Sequence, residues 1–253
     1  MKLRSIFRFQ QLLFLALCGL ASFGNDAFGQ GQPANVKLKT GAVQQGVITG
    51  VTASGVGINL TGGGSITIPL AQIESVGMTA PLDFNNGVQA VAARDLPRAA
   101  ASIGAVVAKY KGLPTDWAQQ ATALAGFIAL QSNDVARASV AFDEFKRFYP
   151  NAPEGKVGAA AIAASKKDFG SAKDLIGPII EDALKQKDIP LANRFAFSRA
   201  FYISGQVKES ENDRSGALED YLRTTTIFYH DPSAVASAQE RAEVLRKSKV
   251  TVP

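Results

Sequence analysis

The side chains able to do chemistry are few. In 253 residues there is one histidine, His230, and one cysteine, Cys18. A serine or cysteine nucleophile needs a base within hydrogen-bond reach, and none stands with His230 in a recognisable local motif. His230 follows Phe228 and Tyr229 at the expected end of a helix. There it would satisfy the last carbonyls and, when protonated, suit the negative end of the helix dipole. No histidine–cysteine spacing suggests zinc. The pairs Asp143-Glu144 and Glu181-Asp182 are adjacent, so on a helix they point about 100° apart and do not share a site. Gly62-Gly63-Gly64 has no helix N-terminus after it to complete a phosphate cradle. The residues therefore predict a protein that is not an enzyme and that uses no metal and no cofactor.

The pattern that does repeat belongs to scaffolding. Four times a small residue is followed twelve positions later by alanine, with an aspartate four places before that alanine. The units are Gly87/Asp95/Ala99, Gly126/Asp134/Ala138, Ala160/Asp168/Ala172 and Gly205/Asp213/Ala217. Two helices crossing closely need a side chain no larger than methyl at the contact. The aspartate falls in the turn, where its carboxylate accepts from free N–H groups opening the second helix. Large residues follow the alanine at +4 and +7: Ile103/Val106, Phe142/Phe145, Ile176/Ile179 and Tyr221/Thr224. Pro114, Pro150 and Pro232 mark stops. A final helix, about 233–248, turns Ala234, Ala238, Ala242 and Leu245 inward and Glu240, Arg241 and Lys247 outward. Residues 80–248 thus read as a stack of helical hairpins, and 249–253 as a tail.

Ahead of the helices the period is two. Val36 and Leu38 alternate, a longer strand carries Val43, Val47, Ile48 and Val51, and Val56, Ile58 and Leu60 follow. Gly62-Gly63-Gly64 turns the chain into Ile66 and Ile68, and a short turn at Leu70-Ala71-Gln72 leads to a strand over Ile73 to Val76. Residues 35–78 predict a small five-stranded β barrel.

The first 29 residues read as a signal peptide. Lys2, Arg4 and Arg8 precede an apolar run from Leu12 to Phe23, and Ala27-Phe28-Gly29 offers small residues for cleavage before Gln30. An uncleaved anchor is the rival, although the run is short of the roughly 20 residues that span a bilayer. Leu15-Ala16-Leu17-Cys18 is close to a bacterial lipidation box but has Leu17 where a small residue is wanted. Residues 30–34 form a linker. The expectation is an exported protein of the periplasm or cell envelope, without a transmembrane span once processed, peripheral to a membrane at most. Its net charge of +5 falls to about +3 on cleavage and forms no basic block, so nucleic acid is not an expected partner.

The helical units resemble the tetratricopeptide repeat (TPR) family. Gly126, Ala138, Phe142 and Pro150 stand at that family's glycine, alanine, aromatic and proline places. The run from Phe145 to Pro153 is similar to helix ends in envelope members of the family, such as outer-membrane assembly lipoproteins and periplasmic cell-division coordinators. Ala160 replaces the usual glycine in the third unit, and the anchor alanines are 39, 34 and 45 residues apart, against the family's 34. Over residues 35–77, Val36 to Gly41 and Gly46 to Gly50 resemble the opening of Sm-like and SH3-like barrels. The Sm family's RNA-contacting segments are not reproduced, so RNA binding is not implied.

The TPR resemblance implies a mainly α fold, an α-solenoid, whose concave face is lined by the first helix of each repeat. The corresponding places are Phe84, Val88 and Val91 in the first unit and Gln120, Ala123, Phe127, Leu130 and Gln131 in the second. The third gives Glu154, Val157, Ala161, Ala164 and Ser165, and the fourth Arg199, Tyr202, Gln206 and Glu209. The lysines and asparagines of the family's carboxylate clamp are missing from these places. The implied partner is a protein or peptide with apolar anchors. Two other readings stay open: a barrel that does the work, by self-association into a homo-oligomer or by ligand binding, and a structural subunit of an outer-membrane or division assembly.

Overall fold

The computed structural model describes residues 32–252. The signal peptide, its cleavage site, Cys18 and most of the linker lie outside the described residues. Among the described residues five strands precede nine helices.

The strands are β1 (Pro33–Leu38), β2 (Val43–Thr52), β3 (Gly55–Leu60), β4 (Ser65–Ile68) and β5 (Ile73–Met78). All pairings are antiparallel, in the order β4-β3-β2-β1-β5. Alternation puts Ala34, Val36, Ile48, Val56, Ile58, Ile68 and Ile73 on the buried face. Among the described residues the expected barrel is not closed: β4 and β5 do not pair, and both are edge strands of the sheet. β4 has only four residues and ends against Pro69, which has no N–H to extend a ladder. Helices cover the sheet instead. The indole Nε1 of Trp117 donates to Met78 O at 3.1 Å, and one apolar cluster runs from the sheet into the helices as far as Phe228.

The helices are α1 (Leu82–Ala92), α2 (Leu96–Tyr110), α3 (Asp116–Gln131), α4 (Val135–Phe148), α5 (Glu154–Ser165), α6 (Phe169–Lys185), α7 (Leu191–Ser210), α8 (Arg214–Thr226) and α9 (Pro232–Lys247). The hairpins α1/α2, α3/α4, α5/α6 and α7/α8 share one turn. Arg94, Asn133, Lys167 and Asn212 each adopt a left-handed conformation, with φ between 58° and 65°. The N–H of the following aspartate then reaches back to a carbonyl of the first helix at 2.8–2.9 Å, which satisfies a group the helix end would orphan. That aspartate's side chain caps the second helix, accepting from Arg98 N, Arg137 N, Ser171 N and Gly216 N. The recurrent aspartate is thus the hinge of every hairpin.

The small residue makes room for the +4 side chain. A Cβ on Gly126 would lie 2.6 Å from the Phe142 ring, and one on Gly87 would lie 2.6 Å from Ile103; Gly205 faces Tyr221 in the same way. Gly158, from the next hairpin, closes on Phe142 from its other side. All eight +4 and +7 residues are buried, each large apolar one contributing about 1.5–3 kcal/mol relative to exposure. Consecutive hairpins touch through α2 and α3, α4 and α5, and α6 and α7. The odd-numbered helices also touch in succession, α1 to α3, α5, α7 and α9, and α9 returns to contact α1.

Candidate functional site

The inward faces of α3, α5 and α7 meet around a cavity of about 270 Å³. Helical spacing brings Phe127, Leu130 and Gln131 to it from α3, Ala161, Ala164 and Ser165 from α5, and Arg199, Tyr202 and Gln206 from α7. α9 closes one side with Ser237. A second cavity of about 290 Å³ adjoins it, sharing Gln131, Tyr202 and Ser237 and reaching Arg94, Glu240 and Arg241.

Arg199, on the lining, is held from behind by a buried ion pair. Arg199 Nε donates to Asp231 Oδ2 at 2.7 Å and its Nη2 to Ser233 Oγ at 2.9 Å, and its guanidinium stacks 4.2 Å from the centre of the Phe127 ring. The other Asp231 oxygen caps α9, accepting from Ser233 N and Ala234 N. One carboxylate therefore neutralises Arg199 and fixes the start of α9. Gln131 Nε2 donates to Ser233 Oγ at 2.6 Å, while Gln131 Oε1 is buried without a partner.

The rim is neutralised too. Arg94 pairs with Glu240 at 2.7 Å and Arg241 with Glu209 at 2.8 Å. The Glu209 hydrogen bond raises the Arg241 pKa. Burial raises that of Tyr202, against the opposing charge of Arg199. Burial and the neighbouring Glu209 carboxylate raise that of Tyr221, whose hydroxyl donates to Glu209 at 3.0 Å.

The sequence-predicted residues divide accordingly. Phe127, Leu130, Gln131, Arg199, Tyr202 and Gln206 converge on the cavity, whereas Glu209 lines neither cavity and meets the second only through its ion pair with Arg241. Phe84 is buried in the core with its ring 6.4 Å from that of Trp117. Val88 packs against the same core, and the half-buried Gln120 lines neither cavity. Asp231, Ser233 and Ser237 were not foreseen as partners of the inward faces. The available signal was the recurrence of Ser233, Ser237 and Arg241 every fourth residue beside the alanine stripe of α9.

A third cavity, of about 360 Å³, lies at the opposite ends of α3 and α7, between Gln119, Tyr149, Asn151 and Asn193. Next to it Glu154 is fully buried, both its oxygens 3.2 Å from Gln119 Nε2. Burial pushes its pKa up to about 7; its own N–H and Gln119 pull it down, and Asp116 adds a smaller upward push. Burial also raises the Tyr149 pKa to about 12, and its hydroxyl bridges Gly112 N and Leu113 O.

His230 differs from expectation. No hydrogen bond joins it to the carbonyls ending α8; its Nε2 lies 3.5 Å from Arg194 Nη1, and its buried Nδ1 has no partner among the described residues. Burial and the Arg194 charge lower its pKa, which disfavours the protonated form that a helix dipole would reward. Among the described residues no cluster of three or more potential metal ligands occurs, and no helix is long and apolar enough to cross a membrane.

Comparison with protein-family models, with curated proteins and with solved structures finds no match.

Proposed function

We propose that this chain is an exported, non-enzymatic scaffold of the cell envelope, a tetratricopeptide-like array that binds a protein or peptide at the cavity between α3, α5, α7 and α9. The observation that carries this reading is the convergence of inward residues from three successive hairpins on one opening. The shared glycine–aspartate construction of the hairpins and the succession of contacts among odd-numbered helices support the repeat assignment. The test is in-cell crosslinking of tagged full-length protein, with captured chains identified by mass spectrometry. Tyr202→Ala combined with Gln206→Ala should lose the specific partners while the thermal melt keeps its cooperativity. Undiminished capture by that folded variant would move recognition away from the cavity.

The open sheet favours a second reading, in which the β region associates with another copy. β4 is an unpaired edge with Ile66 exposed. Ile66→Lys would then convert an oligomer to a monomer in sedimentation velocity. An unchanged sedimentation coefficient would remove this reading.

A further inference from the structure

The paired cavities carry a chemical preference. Every cation near them already holds a carboxylate: Arg199 has Asp231, Arg94 has Glu240 and Arg241 has Glu209. A charged group entering would be desolvated with no free counter-charge to meet it. Among the uncharged hydrogen-bonding groups of the lining, Gln131 and Tyr202 are the two that face both cavities with capacity to spare. Gln131 Oε1 is an acceptor with no donor. The Tyr202 hydroxyl accepts from Gln206 Nε2 at 3.1 Å and has the Ser237 side chain beside it; its own proton can turn from Ser237 to an entering acceptor. Gln131 and Tyr202 both line both cavities. With Nε2 spent on Ser233 Oγ, the atom of the Gln131 amide left over is the acceptor, the orientation on which the match to an amide depends. Leu130, Ala161, Ala164 and Ile203 give the first cavity an apolar side, next to the polar Asn133 and Ser165.

A peptide bond, or an asparagine or glutamine carboxamide, carries the reciprocal pair: one carbonyl to accept and one N–H to donate. We infer that the Gln131–Tyr202 pair receives an amide group of an uncharged peptide segment, whose small apolar side chains lie along the α5 wall. The inference rests on the scaffold reading and narrows it to one partner chemistry. The combined cavities lie within the size range of small-ligand sites, so one or two residues of a segment enter, with the rest outside.

The probes are three blocked amino acids, the N-acetyl methylamides of glutamine, glutamate and lysine, titrated into the full chain and followed by amide chemical shifts. The glutamine compound should shift resonances of Gln131, Tyr202 and Ser237, and the two charged compounds should bind more weakly. Tyr202→Phe, which removes only the donating hydroxyl, should weaken glutamine-probe binding about tenfold without changing the fold. Equal binding of charged and neutral probes, equal binding to wild type and Tyr202→Phe, or shifts confined to other surfaces would each overturn the amide assignment. Partner capture by crosslinking separates the two levels. Probe binding at the cavity with no protein captured sinks the scaffold reading and keeps the site. Capture that survives while the probes fail keeps the scaffold and discards the site.

Discussion

Glu154→Gln should remove most of the pH dependence of stability near neutrality. The carboxyl is fully buried at the start of α5, with Gln119 as its hydrogen-bonding side chain and, among the described residues, no basic residue paired with it. Its pKa is near 4.5 in the unfolded chain and about 7 when folded. Between those values the native state binds the extra proton, so stability is fullest below pH 4.5 and declines as pH rises through 7. At 1.36 kcal/mol per pH unit, the interval corresponds to a loss of about 3 kcal/mol by pH 8. Glutamine keeps the shape and stays neutral throughout. Urea unfolding of both proteins from pH 4 to 8 should give curves that coincide at the acidic end and separate with rising pH, the variant being more stable by about 3 kcal/mol. In a thermal scan at pH 8 that is a rise of roughly 6–12 °C for a chain of this size. Parallel curves would refute the reasoning, because they would mean that Glu154 ionises without cost and is solvated or paired in solution.

Three further outcomes follow from the packing. Lys167→Gly should stabilise by about 0.5–1 kcal/mol, since Lys167 holds a φ of 64° that glycine adopts freely; chemical denaturation would read the gain. Gly126→Ala should cost about 1–3 kcal/mol, because the new methyl meets the Phe142 ring, and an unchanged midpoint would show that the two helices can part. Asp231→Ala should destabilise by about 3–5 kcal/mol, leaving Arg199 buried and unpaired and α9 uncapped; adding Arg199→Met should recover a large share in a double-mutant cycle.

Local rules made much of the molecule legible. Period-two alternation located the strands, and the glycine–aspartate–alanine spacing located the hairpins, because strand pleat, helix crossing and cap all act within about a dozen residues. Barrel closure is not a local property: it depends on whether β4 and β5 meet, and β4 is only four residues long and stops at Pro69. Nine of the groove places read from the sequence meet at one cavity, since helical spacing puts them on the inward faces of α3, α5 and α7. Phe84 does not, because Trp117 and the sheet lie over that end of the array. The role of α9 was hidden for another reason: its bonds to Arg94 and Gln131 span 146 and 102 residues, and no local pattern encodes a contact at such range.

The return of α9 to α1 changes how the helical region should behave as a mechanical object. An open stack of repeats frays from its ends, and each unit's stability depends only on its neighbours. Here the last helix is tied to the first hairpin by Arg94, which bonds both Glu240 and the Ala236 carbonyl, so the helices have no free terminus from which to peel. Opening one seam must loosen both ends together, and the hairpins should melt as one cooperative unit. During synthesis the first hairpin would wait, incompletely bound, until the final helix is made.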